Sequence, residues 1–170
     1  MSKPNALSID SDRREESWAT TEYLTIRLEN QLFGIPVLQV QDVLGDQKVT
    51  PIPLAPPEVA GALNLRGRIV TAIDVRRSLG LKSLIASDKS AGKPTMSVVV
   101  EHHYELYSLI IDEVGDVMGF ANDSYEKSPA TLDPKWREIS GGIYRLDREL
   151  MVVLDIAKLL NSFDSDGADI

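Results

Sequence analysis

A pattern that occurs twice, in one order, constrains this chain more than anything else in it. The alternating stretch Tyr23-Leu24-Thr25-Ile26-Arg27-Leu28 leads through Asn30-Gln31 to Leu32-Phe33-Gly34-Ile35. Shifted by 74 residues, Ser97-Val98-Val99-Val100 leads through Tyr104-Glu105 to Leu106-Tyr107-Ser108-Leu109, and Val40, Asp42, Val43 and Leu44 fall on Val114, Asp116, Val117 and Met118. Further on the shift is 81: Gly61, Leu63, Leu65 and the run Ile69–Val75 fall on Gly142, Tyr144, Leu146 and the run Leu150–Ile156. The seven extra residues between Met118 and Gly142 belong in a surface connection, where backbone stays solvated. The chain therefore reads as a duplicated unit, about 22–81 and 96–161, joined by a Ser/Lys/Gly-containing linker at 86–95. The full domain spans 21–161, between a disordered N-terminal tail at 1–20 and an acidic C-terminal tail at 162–170.

Each unit reads as mainly β. Alternation puts Leu24, Ile26 and Leu28 on one face of a half-buried strand. Asn30-Gln31 and Tyr104-Glu105 are expected to turn hairpins. The runs 69–73 and 150–154 are apolar on both faces, which predicts buried central strands. No long crossover helix intervenes, so small barrels are expected rather than a parallel sheet. Short helices are expected after Asp74, Asp133 and Asp155. Each aspartate would accept from free first-turn amides, with Gly80 and Pro134 supplying end signals.

Composition excludes several functions. The net charge of −8 opposes binding to nucleic acid or to an anionic membrane face. Absence of cysteine removes disulfides and thiolate ligands and suits a reducing cytoplasm. No apolar run approaches the roughly 18 residues of a membrane-spanning helix, and 1–20 lacks a signal-peptide core.

Catalytic patterns are thin. Asp74, Asp112 and Asp155 each follow apolar strand residues, but capping accounts for Asp74 and Asp155 without acid–base chemistry. His102 and His103 are adjacent; in an extended segment they point to opposite faces and cannot share one metal. No catalytic residue, metal site or cofactor is expected. Ala91-Gly92-Lys93-Pro94-Thr95 lacks the upstream glycine of a phosphate loop. Pro51-Ile52-Pro53-Leu54-Ala55-Pro56-Pro57 formally holds a Pro-x-x-Pro ligand but occupies a loop position in the repeat and reads as a stiff connector. Between Gly61 and Lys82 the local charge is +4. Arg76 and Arg77 read as a solvated helix face. Arg66, in the turn Leu65-Arg66-Gly67-Arg68, displays a guanidinium suited to an acidic or carbonyl-rich surface.

The stretch Gly61-Ala-Leu-Asn64-Leu65-Arg66-Gly67-Arg68 through Asp74-Val-Arg76 closely resembles the CheW family, whose most recognisable motif is Asn-Leu-Arg-Gly before an apolar strand ending in Asp. Phe33-Gly34-Ile35, Val40-Gln41-Asp42-Val43, Ile110-Ile111-Asp112-Glu113-Val114 and Val153-Leu154-Asp155-Ile156 resemble it too, so the likeness covers about 22–161. The resemblance implies a tandem pair of five-stranded β-barrels with exchanged strands around a shared apolar interface. It also implies a cytoplasmic adaptor without catalysis, binding the regulatory domain of a CheA-type histidine kinase and the hairpin tip of a chemoreceptor, and monomeric when isolated. Residues matching family contact positions are Val40, Asp42, Gly61, Asn64, Arg66 and Gly67. Thr71 stands where many members have proline, and Ser108 where many have glycine. The other readings are an adaptor of a non-flagellar chemosensory pathway and, from another class, a small-molecule-binding β-barrel or a carboxylate enzyme.

Overall fold

Strand exchange between the two repeats organises the molecule. The computed structural model describes residues 19–83 and 94–167. The first repeat supplies β1 (Thr20–Leu28), β2 (Gln31–Pro36), β3 (Val40–Leu44), β4 (Val59–Leu65) and β5 (Arg68–Asp74). The second supplies β6 (Met96–His102), β7 (Glu105–Ile111), β8 (Glu113–Ala121), β9 (Ser140–Arg145) and β10 (Leu150–Leu154). One five-stranded sheet runs β8-β1-β2-β10-β9 and the other β3-β6-β7-β5-β4. Each sheet thus joins the opening hairpin of one repeat to the three closing strands of the other. The chain passes from the first sheet to the second through the 3-10 turn Val37–Gln39, and returns through the single residue Asp112.

The exchange leaves one parallel pair per sheet, β2 with β10 and β7 with β5, while every other pair is antiparallel. Single antiparallel bridges tie Thr50 to Ala62 and Glu126 to Ile143. Each connects the segment after one edge strand to the opposite edge strand of the same sheet, so the sheets curl toward barrels without a continuous closing ladder.

The hairpin turns fall one residue earlier than expected. Leu28 pairs with Gln31 and His102 with Glu105, so the turns are Glu29-Asn30 and His103-Tyr104. All four turn residues have positive φ, 51° to 68°, as do Arg66 (51°) and Gly67 (85°) in the β4–β5 turn. Two-residue turns of this kind match the right-handed twist of the strands they join.

Alternation sorts the core into three clusters. Along β10, Val152 and Leu154 enter a large cluster shared by both sheets, whereas Met151 and Val153 join Tyr23, Leu32 and Tyr144 inside the first sheet's curl. Along β5, Ile73 enters the shared cluster and Val70 and Ala72 join Leu63 and Ile110 inside the second. Each fully buried aliphatic side chain contributes about 1.5–3 kcal/mol, so the shared cluster dominates cohesion. The expectation for 69–73 fails at one end, because Ile69 is 79% exposed where β5 runs past the core.

Ser108, the counterpart of Gly34, is accommodated by a compensating change. A Cβ on Gly34 would lie 2.7 Å from the end of Met151. The counterpart of Met151 in the second sheet is the shorter Val70, which leaves room for a hydroxymethyl group. Ser108 is fully buried, and its hydroxyl has no hydrogen-bond partner among the described residues.

Three short helices punctuate the strands: α1 (Val75–Ser78), α2 (Pro134–Ile139) and α3 (Ile156–Gly167). Asp133 caps α2, accepting from the Lys135 amide at 2.8 Å with Pro134 at the first helical position. Asp155 accepts from the Lys158 amide at 3.1 Å. Asp74 does not cap α1, contrary to expectation: its carboxylate is buried and accepts from the Ser83 hydroxyl instead. Gly80, at φ 75°, ends α1 as expected, with the Gly80 and Leu81 amides donating to the Arg77 and Arg76 carbonyls. Thr20 already belongs to β1, and α3 extends to Gly167 with Phe163 buried in the shared cluster. The remainder of the N-terminal tail and most of the 86–95 linker lie outside the described residues.

Candidate partner-binding surface

The second sheet presents its most distinctive surface where the β4–β5 turn meets edge strand β3. Type I′-like geometry puts Arg66 in the left-handed region, which costs a non-glycine residue roughly 1–2 kcal/mol. Asn64 braces the turn, its side-chain oxygen accepting from the Gly67 amide at 2.9 Å. Arg66 Nη2 donates to Asp42 Oδ2 at 3.0 Å, and Asp42 Oδ1 accepts from the Val43 amide at 2.9 Å. The arginine side chain is 81% exposed and the aspartate 27%. A carboxylate anchored on its own strand therefore aims a guanidinium that stays open to solvent.

The remaining sequence-selected residues divide. Asn64 and Gly67 are exposed beside Arg66, but their observed role is to shape the turn. Val40 is half-buried against the shared core. Gly61 is buried, and a Cβ there would strike the Thr50 carbonyl that bridges to β4. Its φ of 148° independently disfavours a side chain. Closure of the sheet against Thr50 therefore requires glycine at 61. Gly142 repeats the arrangement against Tyr125 and Glu126.

Sequence reasoning missed the apolar flank. Val40, Val100, Tyr107 and Thr71 stand in register across β3, β6, β7 and β5. Val40, Val100 and Tyr107 face the shared core. One step toward the Arg66 turn, the same face of β5 carries Ile69, while Leu38 in the crossover turn is 92% exposed. The turn Ile52–Ala55 exposes Leu54 completely, with φ 64°. A large apolar residue at a position facing the core but beyond it, as at Ile69, is the signal that was available.

The tempting chemical groups find other employment. Arg76, read as a solvated helix residue, is buried. Its Nε and Nη2 each lie 2.7 Å from Asp112 carboxylate oxygens, and Nη2 also lies 2.7 Å from Glu29 Oε2. The Asp112 hydrogen bonds, foremost, raise the Arg76 pKa above arginine's ordinary value. Arg77 is exposed, as expected. His103 lies in the turn rather than a strand, so its ring packs edge-on to His102 with centroids 4.0 Å apart, not on the opposite face. Among the described residues no group of three His, Cys, Asp or Glu side chains is placed to hold a metal ion. Tyr23 and Tyr144 hydroxyls approach to 3.4 Å inside the first sheet, and burial, foremost, raises the Tyr23 pKa well above that of a free phenol. Among the described residues no helix is long and apolar enough to cross a membrane.

With this geometry in place, comparison with known proteins decides the lineage. The model of the CheW-like domain matches residues 22–164. The chain belongs to the CheW-like domain family. A chemotaxis protein CheW of Klebsiella aerogenes is 29% identical over 141 residues, covering 83% of this chain and 82% of that protein. A chemotaxis protein CheW of Treponema pallidum is 28% identical over 143 residues, covering 83% and 82%. Protein PilI of Pseudomonas aeruginosa is 24% identical over 138 residues, covering 81% and 72%. Among solved structures, the scaffolding protein TtCheW from Thermoanaerobacter tengcongensis superposes with a TM-score of 0.69 at 26% identity, covering 82% of this chain and 91% of that one. The two five-stranded sheets are thus the CheW-like fold.

Proposed function

We propose that this chain is a non-catalytic cytoplasmic adaptor that couples chemoreceptors to a CheA-type histidine kinase. Family membership and the chemotaxis and scaffolding names of its relatives support the class. The observation that carries the site is the exposed Arg66 guanidinium, oriented by Asp42 at 3.0 Å, with exposed Ile69 three residues on in the strand that follows the turn. A displayed cation on a sheet that also exposes an apolar side chain suits a helical hairpin tip that offers carboxylates or helix-end carbonyls together with apolar side chains. The kinase regulatory domain, itself a relative of this fold, is the second partner. The adaptor is monomeric when isolated and binds no catalytic metal or cofactor. Its sites are Asp42 and Arg66, with Asn64 and Gly67 shaping the turn and Val40 and Gly61 supporting it from beneath.

The test is titration of purified wild type and Arg66→Ala against a kinase regulatory domain and a receptor cytoplasmic fragment. Wild type binds both, and Arg66→Ala weakens at least one by roughly 30-fold or more, the loss of a desolvated arginine anchor. Wild type that binds neither refutes the reading. A second reading keeps the same adaptor role in a non-flagellar chemosensory pathway, and binding to the kinase and receptor of such a pathway in preference to flagellar ones would favour it.

A further inference from the structure

The duplication builds two crossovers between the sheets, and only one of them is clamped. At the return crossover Asp112 is the single residue between β7 of the second sheet and β8 of the first. Arg76, from the helix that follows β5 of the second sheet, grips both Asp112 oxygens at 2.7 Å. The same guanidinium reaches Glu29, in the β1–β2 turn of the first sheet, at 2.7 Å, and donates to the Lys82 carbonyl at 3.1 Å. The Glu29 amide in turn donates to Asp112 Oδ2 at 3.0 Å. One guanidinium thereby ties a helix, the crossover and a hairpin turn drawn from both sheets.

At the other crossover the equivalent residues are Leu38 for Asp112, His103 for Glu29 and Ala157 for Arg76. Among the described residues no Arg76-like fork is found there. Between these two crossovers the sheets meet through the shared apolar cluster, which is strong but non-directional, and, among the described residues, through a single long hydrogen bond of 3.3 Å from the Trp136 indole to the Leu79 carbonyl. Bidentate hydrogen bonds supply the direction that apolar packing lacks.

We propose that Arg76 is a positioning residue: its fork on Asp112 and Glu29 fixes the angle between the two sheets, and so fixes the Asp42–Arg66 surface relative to the first sheet. Without it the sheets remain packed but move about their crossovers. The functional half of this statement rests on the adaptor reading above; the geometric half does not.

Natural cysteines are absent, so a distance can be read directly. Spin labels go on Lys48→Cys, after β3 of the second sheet, and Asp147→Cys, after β9 of the first; both positions are exposed. The clamp is removed by Arg76→Met with Asp112→Leu, which leaves no buried charge unpaired and often spares stability; Glu29, 54% exposed, turns to solvent. Arg76→Lys, which keeps the charge and loses the fork, is the second variant. Circular dichroism and thermal melting confirm the fold of each, and if the double variant does not fold, Arg76→Lys decides alone. The expected result is a narrow distance distribution in the parent that broadens by about twofold or more in the folded variants, as hinge freedom requires. An unchanged width in a folded variant, or a parent distribution already broad, overturns the proposal. A second measurement links the clamp to function. Each partner alone should bind a folded variant within about twofold of wild type, while the complex with receptor and kinase together weakens about tenfold, because the Asp42–Arg66 surface is no longer held in one orientation to the first sheet. Wild type that binds neither partner sinks the adaptor reading and leaves the label result to judge the clamp.

Discussion

Arg76 and Asp112 form the most buried ion pair among those described, joined by two hydrogen bonds of 2.7 Å across the point where the chain returns from one sheet to the other. Their side chains are 11% and 18% exposed, against 81% for Arg66 in the pair with Asp42. Two arginines ten residues apart on one segment therefore do opposite things. One is consumed by the fold and the other is displayed.

Removing one partner of the inner pair strands a buried charge. Arg76→Ala should cost about 3–5 kcal/mol, seen as a large fall in denaturation midpoint with an unchanged slope against denaturant. A variant within about 1 kcal/mol of wild type would show that Glu29 and Asp112 relax freely into water.

The displayed arginine should separate stability from binding. Its ion pair with Asp42 is worth about 0–1 kcal/mol to folding, so Arg66→Ala should leave the melting temperature nearly unchanged while weakening partner binding. Arg66→Gly should melt at or above wild type, because glycine is at ease at a φ of 51°. A marked loss of stability in both variants would assign Arg66 to the fold rather than to a surface.

Ser108→Ala should stabilise. The serine hydroxyl is buried with no partner among the described residues. Deleting an unsatisfied buried hydroxyl removes a penalty of about 1–3 kcal/mol, offset in part by the small void left behind. Calorimetry should show a higher melting temperature; a lower one would mean that the hydroxyl is satisfied in solution.

Acid should erase the contribution of Glu149. Its carboxylate accepts two hydrogen bonds from Arg27, at 3.1 and 3.0 Å, and these lower its pKa below the usual carboxylate value of 4.5. A depressed folded-state pKa means stability that is present above pH 4.5 and lost as pH falls through the folded value. Both side chains are about two-fifths exposed, so the size is under about 1 kcal/mol. The melting difference between wild type and Glu149→Gln should be constant from pH 7 to 5 and shrink toward zero at lower pH. A difference that widens with acid contradicts the assignment.

Gly61→Val should fail to fold or lose several degrees of stability, since its Cβ has no space against the Thr50 carbonyl. Gly67→Ala, at φ 85° but with nothing near its Cβ, should cost only about 1 kcal/mol. Melting the two side by side distinguishes a steric role from a purely conformational one.

What the sequence determined by itself was everything written in local periodicity. Alternation located β1, runs apolar on both faces located β5 and β10, and the shifts of 74 and 81 matched β1 to β6 and β5 to β10 without any coordinate. Asp133-Pro134 and Asp155 announced their helices, because a cap and the amides it serves lie within one turn. The turn at Arg66-Gly67 was legible for the same reason, and Asp42 was singled out only through the family resemblance. Tertiary structure decided the rest. Nothing local says that the hairpin of one repeat pairs with the closing strands of the other, since both pairings bury the same faces. Asp74 satisfies every local rule for a cap, yet it is buried and Ser83 takes its carboxylate. Arg76 has the sequence context of a surface residue, and only the arrival of Asp112, 36 positions away, and of the β1–β2 turn buries it. A charged side chain enters a protein interior when its partners are assembled around it, and that assembly is a property of the packed sheets rather than of any segment of the chain.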